Sequence, residues 1–267
     1  GLTLKDSTIA GNTLTEDDSD GGGLYAAGSG PFIVYPLLIE NSTIQNNSVQ
    51  TGKGGGIFIG SNASLTISGT KIISNSTNTL NGNSGTRGGG IFNESNQTVT
   101  IVDTTISKNF SDFDGGGIYH DPSLGAGNMI LNRVTLNQNI APSRGAGIFN
   151  AGTLSLTNVT IANNLADGSF NQEGGGIYQN GMSLTLLHST IVGNQAYYGG
   201  GIFQNSGSVT LENTILADNR ALGPILLGDP DTHNCAGNIS SAGHNLDDGV
   251  YCNFASTGDL SNINPIL

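Results

Sequence analysis

An eleven-residue pattern, apolar-x-apolar-x-x-(Ser/Thr/Val)-Thr-apolar-x-x-Asn, returns eight times in this chain with small departures. The copies run Leu2 to Asn12, Leu37 to Asn47, Leu65 to Asn75, Val99 to Asn109, Met129 to Asn139, Leu154 to Asn164, Leu184 to Asn194 and Val209 to Asn219, so the closing Asn recurs every 25 to 35 residues. A second signature, Gly-Gly-Gly-(Ile/Leu)-(Phe/Tyr), alternates with the first. It begins at Gly21, Gly54, Gly88, Gly115, Gly174 and Gly199, with a Gly-Ala-Gly version at Gly145.

Inside each copy, apolar and polar residues alternate and β-branched residues abound, which is the period-two chemistry of strands; nothing reads as a helix. A repeat of about 30 residues with two or three short strands cannot bury its apolar face alone and must stack on its neighbours. Coiling the chain achieves this, with successive coils about 4.8 Å apart, so that eight coils make a rod roughly 38 Å long. The predicted fold is a right-handed parallel β-helix of about eight coils over residues 1–226. Residues 227–267 form a C-terminal capping segment of the same domain.

Register in such a stack turns each repeat position into a column. Leu2, Leu4, Ile9 and their equivalents are expected to point inward as aliphatic columns. The closing residues Asn12, Asn47, Asn75, Asn109, Asn139, Asn164, Asn194 and Asn219 are expected to form a ladder of side-chain amides, aided by the tolerance of Asn for left-handed turns. The glycine tracts supply tight bends; a phosphate-binding role would need a following helix or a Lys-Ser/Thr pair, and neither is present.

The residue before each glycine signature reads Asp20, Lys53, Arg87, Asp114, Arg144, Glu173 and Tyr198. Four of its five neighbouring charged pairs are opposite in sign, the pattern of a cross-strand charge ladder rather than a catalytic cluster. The aromatics Tyr25, Phe58, Phe92, Tyr119, Phe149, Tyr178 and Phe203 form another column, opposite to a more uniform Ile/Leu column. The aliphatics are therefore placed inward and the aromatics at a bend or outer face, where they would make a stripe for a saccharide, another subunit or a covering loop.

The GGGIF/GGGIY tracts followed by LTLxxSTIxxN resemble secreted bacterial right-handed β-helix repeat proteins, and more loosely the repeats of chlamydial polymorphic outer-membrane proteins. The tail, with Cys235-Ala-Gly, Ser241-Ala-Gly-His-Asn-Leu246, Cys252, Gly258-Asp-Leu260 and Asn264-Pro-Ile-Leu267, is similar to the end of the repeat region in exported proteins of the choice-of-anchor class. The resemblance implies an extracellular or cell-surface location and a structural or adhesive role. Cys235 and Cys252 fit it as a disulfide closing the last loop, because further Cys or His at zinc-site spacing is lacking. His233 and His244 with Asp231 or Asp247 are the alternative metal ligands, read here as ordinary loop residues.

Composition narrows the partners. Glycine fills 42 of 267 positions, more than twice its usual share of about 7%. With only eight Lys and Arg and a net charge of −12, the chain is unsuited to nucleic acid or an anionic membrane surface. The apolar run Pro31 to Ile39 is too short to span a bilayer, and any export signal is expected to have been removed or to lie outside this chain.

Three classes of function remain. A polysaccharide lyase or hydrolase would need calcium-binding carboxylates with a basic residue, or two or three Asp on neighbouring coils. The acids lie mainly in turns instead, such as Glu16 to Asp20, Asp112 and Asp114; Asp103 is the main acid within a repeat copy, and Asp6 and Glu212 at or beside its offset are too far away to cooperate. A glycan-binding role rests on the aromatic column and the variable turns, and calcium at Glu16 to Asp20 is a weak possibility beside a solvated charged turn. A structural role rests on the bare first coil, which invites end-to-end self-association. The expectation is a non-enzymatic structural or adhesive rod, with carbohydrate binding or degradation as the alternative. Sequons include Asn41, Asn62, Asn75, Asn96, Asn109 and Asn158.

Overall fold

The computed structural model describes residues 2–16, 19–28, 35–78, 85–122, 127–168, 172–223 and 234–266. All of the named strand pairs are parallel, and among the described residues no segment is helical. The chain winds as a right-handed parallel β-helix with up to four strand-bearing faces per coil.

The first face stacks nine strands, from Leu2–Lys5 to Ile239–Gly243. The second stacks ten, from Thr8–Ala10 to Leu260–Ser261. The third is made of two-residue strands in two groups, Thr13–Leu14 to Ser76–Thr77 and Ile140–Ala141 to Arg220–Ala221, bridged through Phe110. The fourth, carrying the glycine signature, stacks eight from Leu24–Ala26 to Cys235–Ala236. Residues beyond 226 thus continue three of the faces.

Exact register makes the core. On the first face Ile67, Ile101, Leu131, Leu156, Leu186 and Leu211 lie side by side. Ile44, Ile72, Ile106, Leu136, Ile161, Ile191 and Leu216 do so on the second. On the fourth, Ile57, Ile91, Ile118, Ile148, Ile177 and Ile202 form the column. All of these residues are buried in one continuous apolar core, each such side chain contributing about 1.5–3 kcal/mol relative to exposure. Leu2 departs from its expected inward burial, being 64% exposed, with Leu37 as its strand partner.

The bends correct one expectation. The ladder Asn residues do not themselves take the left-handed turn; the residue before each does, with φ of 53° to 56° at Asn46, Ser74, Lys108, Gln138, Asn163 and Asp218. The physical reason is that the ladder Asn spends its own backbone N–H on the neighbouring coil, so the reversal falls one position earlier. That position takes Gly, Asn, Ser, Lys, Gln or Asp because its side chain points to solvent.

A second ladder, beyond the columns expected from the sequence, runs through the repeat. Its Ser/Thr/Val position places Ser42, Thr70 and Thr104 at the corner between the first two faces, where each hydroxyl donates to the carbonyl two residues back, at 2.8 to 2.9 Å. The same oxygens receive a backbone N–H from the preceding coil, Ser42 to Thr70 and Thr70 to Thr104, both at 3.3 Å. The signal was the restriction of that position to small hydroxyl or β-branched residues.

Candidate functional site

The Asn ladder is bonded through both the oxygen and the nitrogen of its amides. Asn109 Nδ2 donates to Asn139 Oδ1 at 3.0 Å and to the Ile72 carbonyl at 3.0 Å, while its Oδ1 accepts from Asn75 N–H and Nδ2 at 2.9 and 3.1 Å. The same bonds link Asn12 to Asn47, Asn47 to Asn75, Asn139 to Asn164, Asn164 to Asn194 and Asn194 to Asn219. The third residue of each glycine signature exists for this ladder. A Cβ on Gly90 would meet the Asn109 amide at 3.0 Å and the Gly117 carbonyl at 2.6 Å.

At its far end the two positions exchange roles. Where the pattern of the fourth face calls for glycine the chain has Asn234, whose Oδ1 accepts from Asn219 Nδ2 at 2.8 Å. Asn234 Nδ2 then donates to Asp247 Oδ1 and Asp248 Oδ1, both at 2.5 Å. Asp247 is fully buried and also accepts the backbone N–H of Gly249 at 3.0 Å and of Cys252 at 3.1 Å. Next to it Cys235 and Cys252 form a disulfide across 17 residues, both buried, with Cys235 completing the isoleucine column of the fourth face. Replacing Cys252 by Ser is expected to lower stability by about 2–3 kcal/mol, through the entropy returned to the unfolded loop. A denaturant titration equal to wild type would contradict that role.

The fourth face carries the aromatic column outside the core. The seven rings stack nearly parallel from Tyr25 to Phe203, with centroids 4.4 to 5.6 Å apart. Ile or Leu turns inward and the aromatic outward, but the stripe is not open: Phe58, Phe92, Tyr119, Phe149 and Tyr178 are only 3 to 5% exposed, and Tyr25 alone reaches 59%. The expectation of a bare seven-ring face is corrected accordingly. Stacking hides the ring faces, and cations from the charge column reach over them. Lys53 lies 4.9 Å from the Phe92 centroid, while Arg87 over Tyr119 and Arg144 over Tyr178 are each at 5.3 Å.

The charge column itself pairs Arg87 with Asp114 at 3.5 Å and Arg144 with Glu173 at 3.4 Å. Lys53 avoids Arg87 by turning to Glu94 at 4.0 Å. Burial pushes the Asp114 carboxyl above its ordinary range, and the nearby Arg87 and Arg144 offset only part of that. The Tyr119 hydroxyl is likewise driven up by burial.

Beside the rings runs a polar column that the repeat did not reveal: Asn93, His120, Asn150 and Gln179, in register and fully buried. Asn93 Nδ2 lies 3.0 Å from His120 Nδ1, and Asn150 Nδ2 donates to Gln179 Oε1 at 2.6 Å. Among the described residues His120 Nε2 has no hydrogen-bond partner, and burial lowers the imidazole to about 4 from 6.5. Between those two values the unfolded chain holds a proton at His120 that the folded chain refuses. Stability therefore falls as pH drops from about 6.5 to 4, by up to about 3 kcal/mol. His120→Gln, which installs the residue found at Gln179, is expected to flatten the pH dependence of the denaturation midpoint across that window. An unchanged slope would remove His120 as its source.

The acids weighed for catalysis are dispersed. Asp103 sits at a left-handed corner in a two-pronged pair with Arg133, at 2.6 and 2.9 Å, and that pairing lowers its carboxyl. Lys5 pairs with Glu40 at 3.0 Å on the first face. Asp17 and Asp18 of the proposed calcium turn, and Asp231 and His233 of the alternative metal set, lie outside the described residues. Among the described residues no group of three or more His, Cys, Asp or Glu side chains converges as a metal site. Two sequons, Asn75 and Asn109, are fully buried ladder members where a glycan is incompatible with the fold, whereas Asn41 and Asn158 are exposed at corners.

The family model described as a right handed beta helix region matches residues 1–166. No curated protein matches the chain, and no solved structure does.

Proposed function

Because the chain belongs to the right-handed β-helix family, we propose that it is a non-enzymatic structural and adhesive rod of an extracellular or cell-surface assembly, acting through further copies of itself or other surface components. The observation that supports this reading is the unbroken Asn ladder, which joins each repeat copy to the next through buried side-chain bonds and makes the stack mechanically continuous. Most of the basic side chains are engaged with acids of neighbouring strands rather than grouped around a cleft. The disulfide fits an oxidising compartment.

Protease shaving of intact source cells, with electron microscopy of the shed material, tests the proposal. The expected result is recovery of peptides from this chain and rods or filaments in the micrographs. Retention of the protein inside the cell, or release of reducing ends or unsaturated sugars from a polysaccharide panel, would overturn it.

A further inference from the structure

Sheet stacking ends unevenly beyond Ala221. The second face gains the strands Leu246–Asp247 and Leu260–Ser261, while the described strands of the third face stop at Arg220–Ala221. In the step so formed lies a cleft of about 540 Å³, between the corner at Asp218 and Arg220 and the loop carrying Asp248, Val250 and Tyr251, with Asn262 on its rim. That volume falls in the range of small-molecule sites, about 300–1,000 Å³.

The walls are fixed from behind. Asp247 holds the loop through Gly249 and Cys252, the disulfide anchors Cys252, and Asn262 N–H donates to the Gly249 carbonyl at 2.7 Å. Asp248 Oδ2 accepts the Asp218 N–H at 2.7 Å, tying the loop to the opposite corner. A site whose walls are already ordered loses little entropy when it is filled.

We propose that this cleft binds an uncharged oligosaccharide. Two carboxylates facing one guanidinium disfavour a phosphate or another anion. A metal ion is poorly served, because both oxygens of Asp248 already accept hydrogen bonds and no three-ligand group is present among the described residues. The Asp218 carboxylate as acceptor beside the Arg220 guanidinium as donor suits vicinal hydroxyls, each of which donates and accepts. Among the described residues no carboxylate pairs with Arg220. Tyr251 and the half-exposed Val250 offer an apolar surface to the C–H face of a sugar ring.

The 267-residue protein applied to an array of uncharged α- and β-linked gluco-, galacto- and manno-oligosaccharides, with any hit titrated by calorimetry, tests the site. Arg220→Ala and Tyr251→Ala are each expected to weaken the Kd by at least about tenfold at an unchanged melting temperature. Arg220→Lys serves if either alanine variant misfolds, and Arg133→Ala, on a distant corner, should bind as wild type. No binding to the array, or binding indifferent to both substitutions, would overturn the proposal. Saccharide capture requires no assembly of rods, so its failure is separable from that of the structural reading.

Discussion

Asn139→Ala is expected to destabilise the rod by about 3–4 kcal/mol, read as a drop in the urea midpoint. The truncation removes two donated bonds, to Asn164 Oδ1 at 2.9 Å and to the Ile106 carbonyl at 3.0 Å. It also strips the acceptor from Asn109 N–H and Asn109 Nδ2, at 3.1 and 3.0 Å. Every group left behind is fully buried, so water cannot replace what is lost without opening the corner. Asn12→Ala is the internal control: Asn12 is exposed and, among the described residues, its Oδ1 accepts no hydrogen bond, so the same truncation in this chain should cost less than about 1 kcal/mol. Equal effects at both positions would show that the amide is not what matters.

Gly117→Ala should cost about 3–5 kcal/mol, more than a methyl group usually does. The added Cβ would stand 2.6 Å from the Gly147 carbonyl and 3.1 Å from the Asn139 amide. That carbonyl accepts the Ile118 N–H at 3.0 Å, so moving it aside disrupts the coil-to-coil bonding as well as the ladder. The middle position is crowded by backbone as well, a Cβ on Gly116 meeting the Ile140 carbonyl, yet the chain accommodates an alanine there once. In one coil the middle glycine is replaced by Ala146, which is fully buried against Ala141, Ala166 and Ala196. A third-position alanine that left the melting temperature within a degree of wild type would refute this account of the glycine tract.

Columns were legible in the sequence wherever one residue type dominated a repeat position. The isoleucines of the core, the closing asparagines and the alternation of charge before the glycines all announce themselves by recurrence, and stacking in register does the rest. The polar column through His120 was not legible, because no one residue type runs through Asn93, His120, Asn150 and Gln179; what they share is burial at a position that must bond to the chain. The left-handed bend before each ladder Asn was hidden for the opposite reason: the backbone there is uniform while the residue varies. Burial of the aromatic column was beyond a strand-alternation argument. Alternation assigns a side of the sheet, but coverage depends on the arginines one coil away leaning across the rings.

The candidate cleft lay further still from any motif. Asp218, Arg220 and Tyr251 belong to no recurring motif in the sequence and come together only at the step in the stack. Asp259 shows how much of that end is organised by one side chain. Burial alone would push its carboxyl up, but hydrogen bonds from Ser241, Asn245 and Ser256 bring it below the usual range.

The ladder also has an electrical direction. From Asn47 to Asn219 each ladder Asn side chain donates to the next coil and accepts from the previous one, so the amide dipoles, about 3.5 D each for a peptide-like group, point the same way along the rod. They add head to tail, and each polarises its neighbour. The positive end of this column emerges at Asn234, where its amide meets the carboxylates of Asp247 and Asp248. An acid there does for the column what Asp or Glu does at the start of an α-helix, so the ladder finishes in a charge-compensated terminus of an extended dipole.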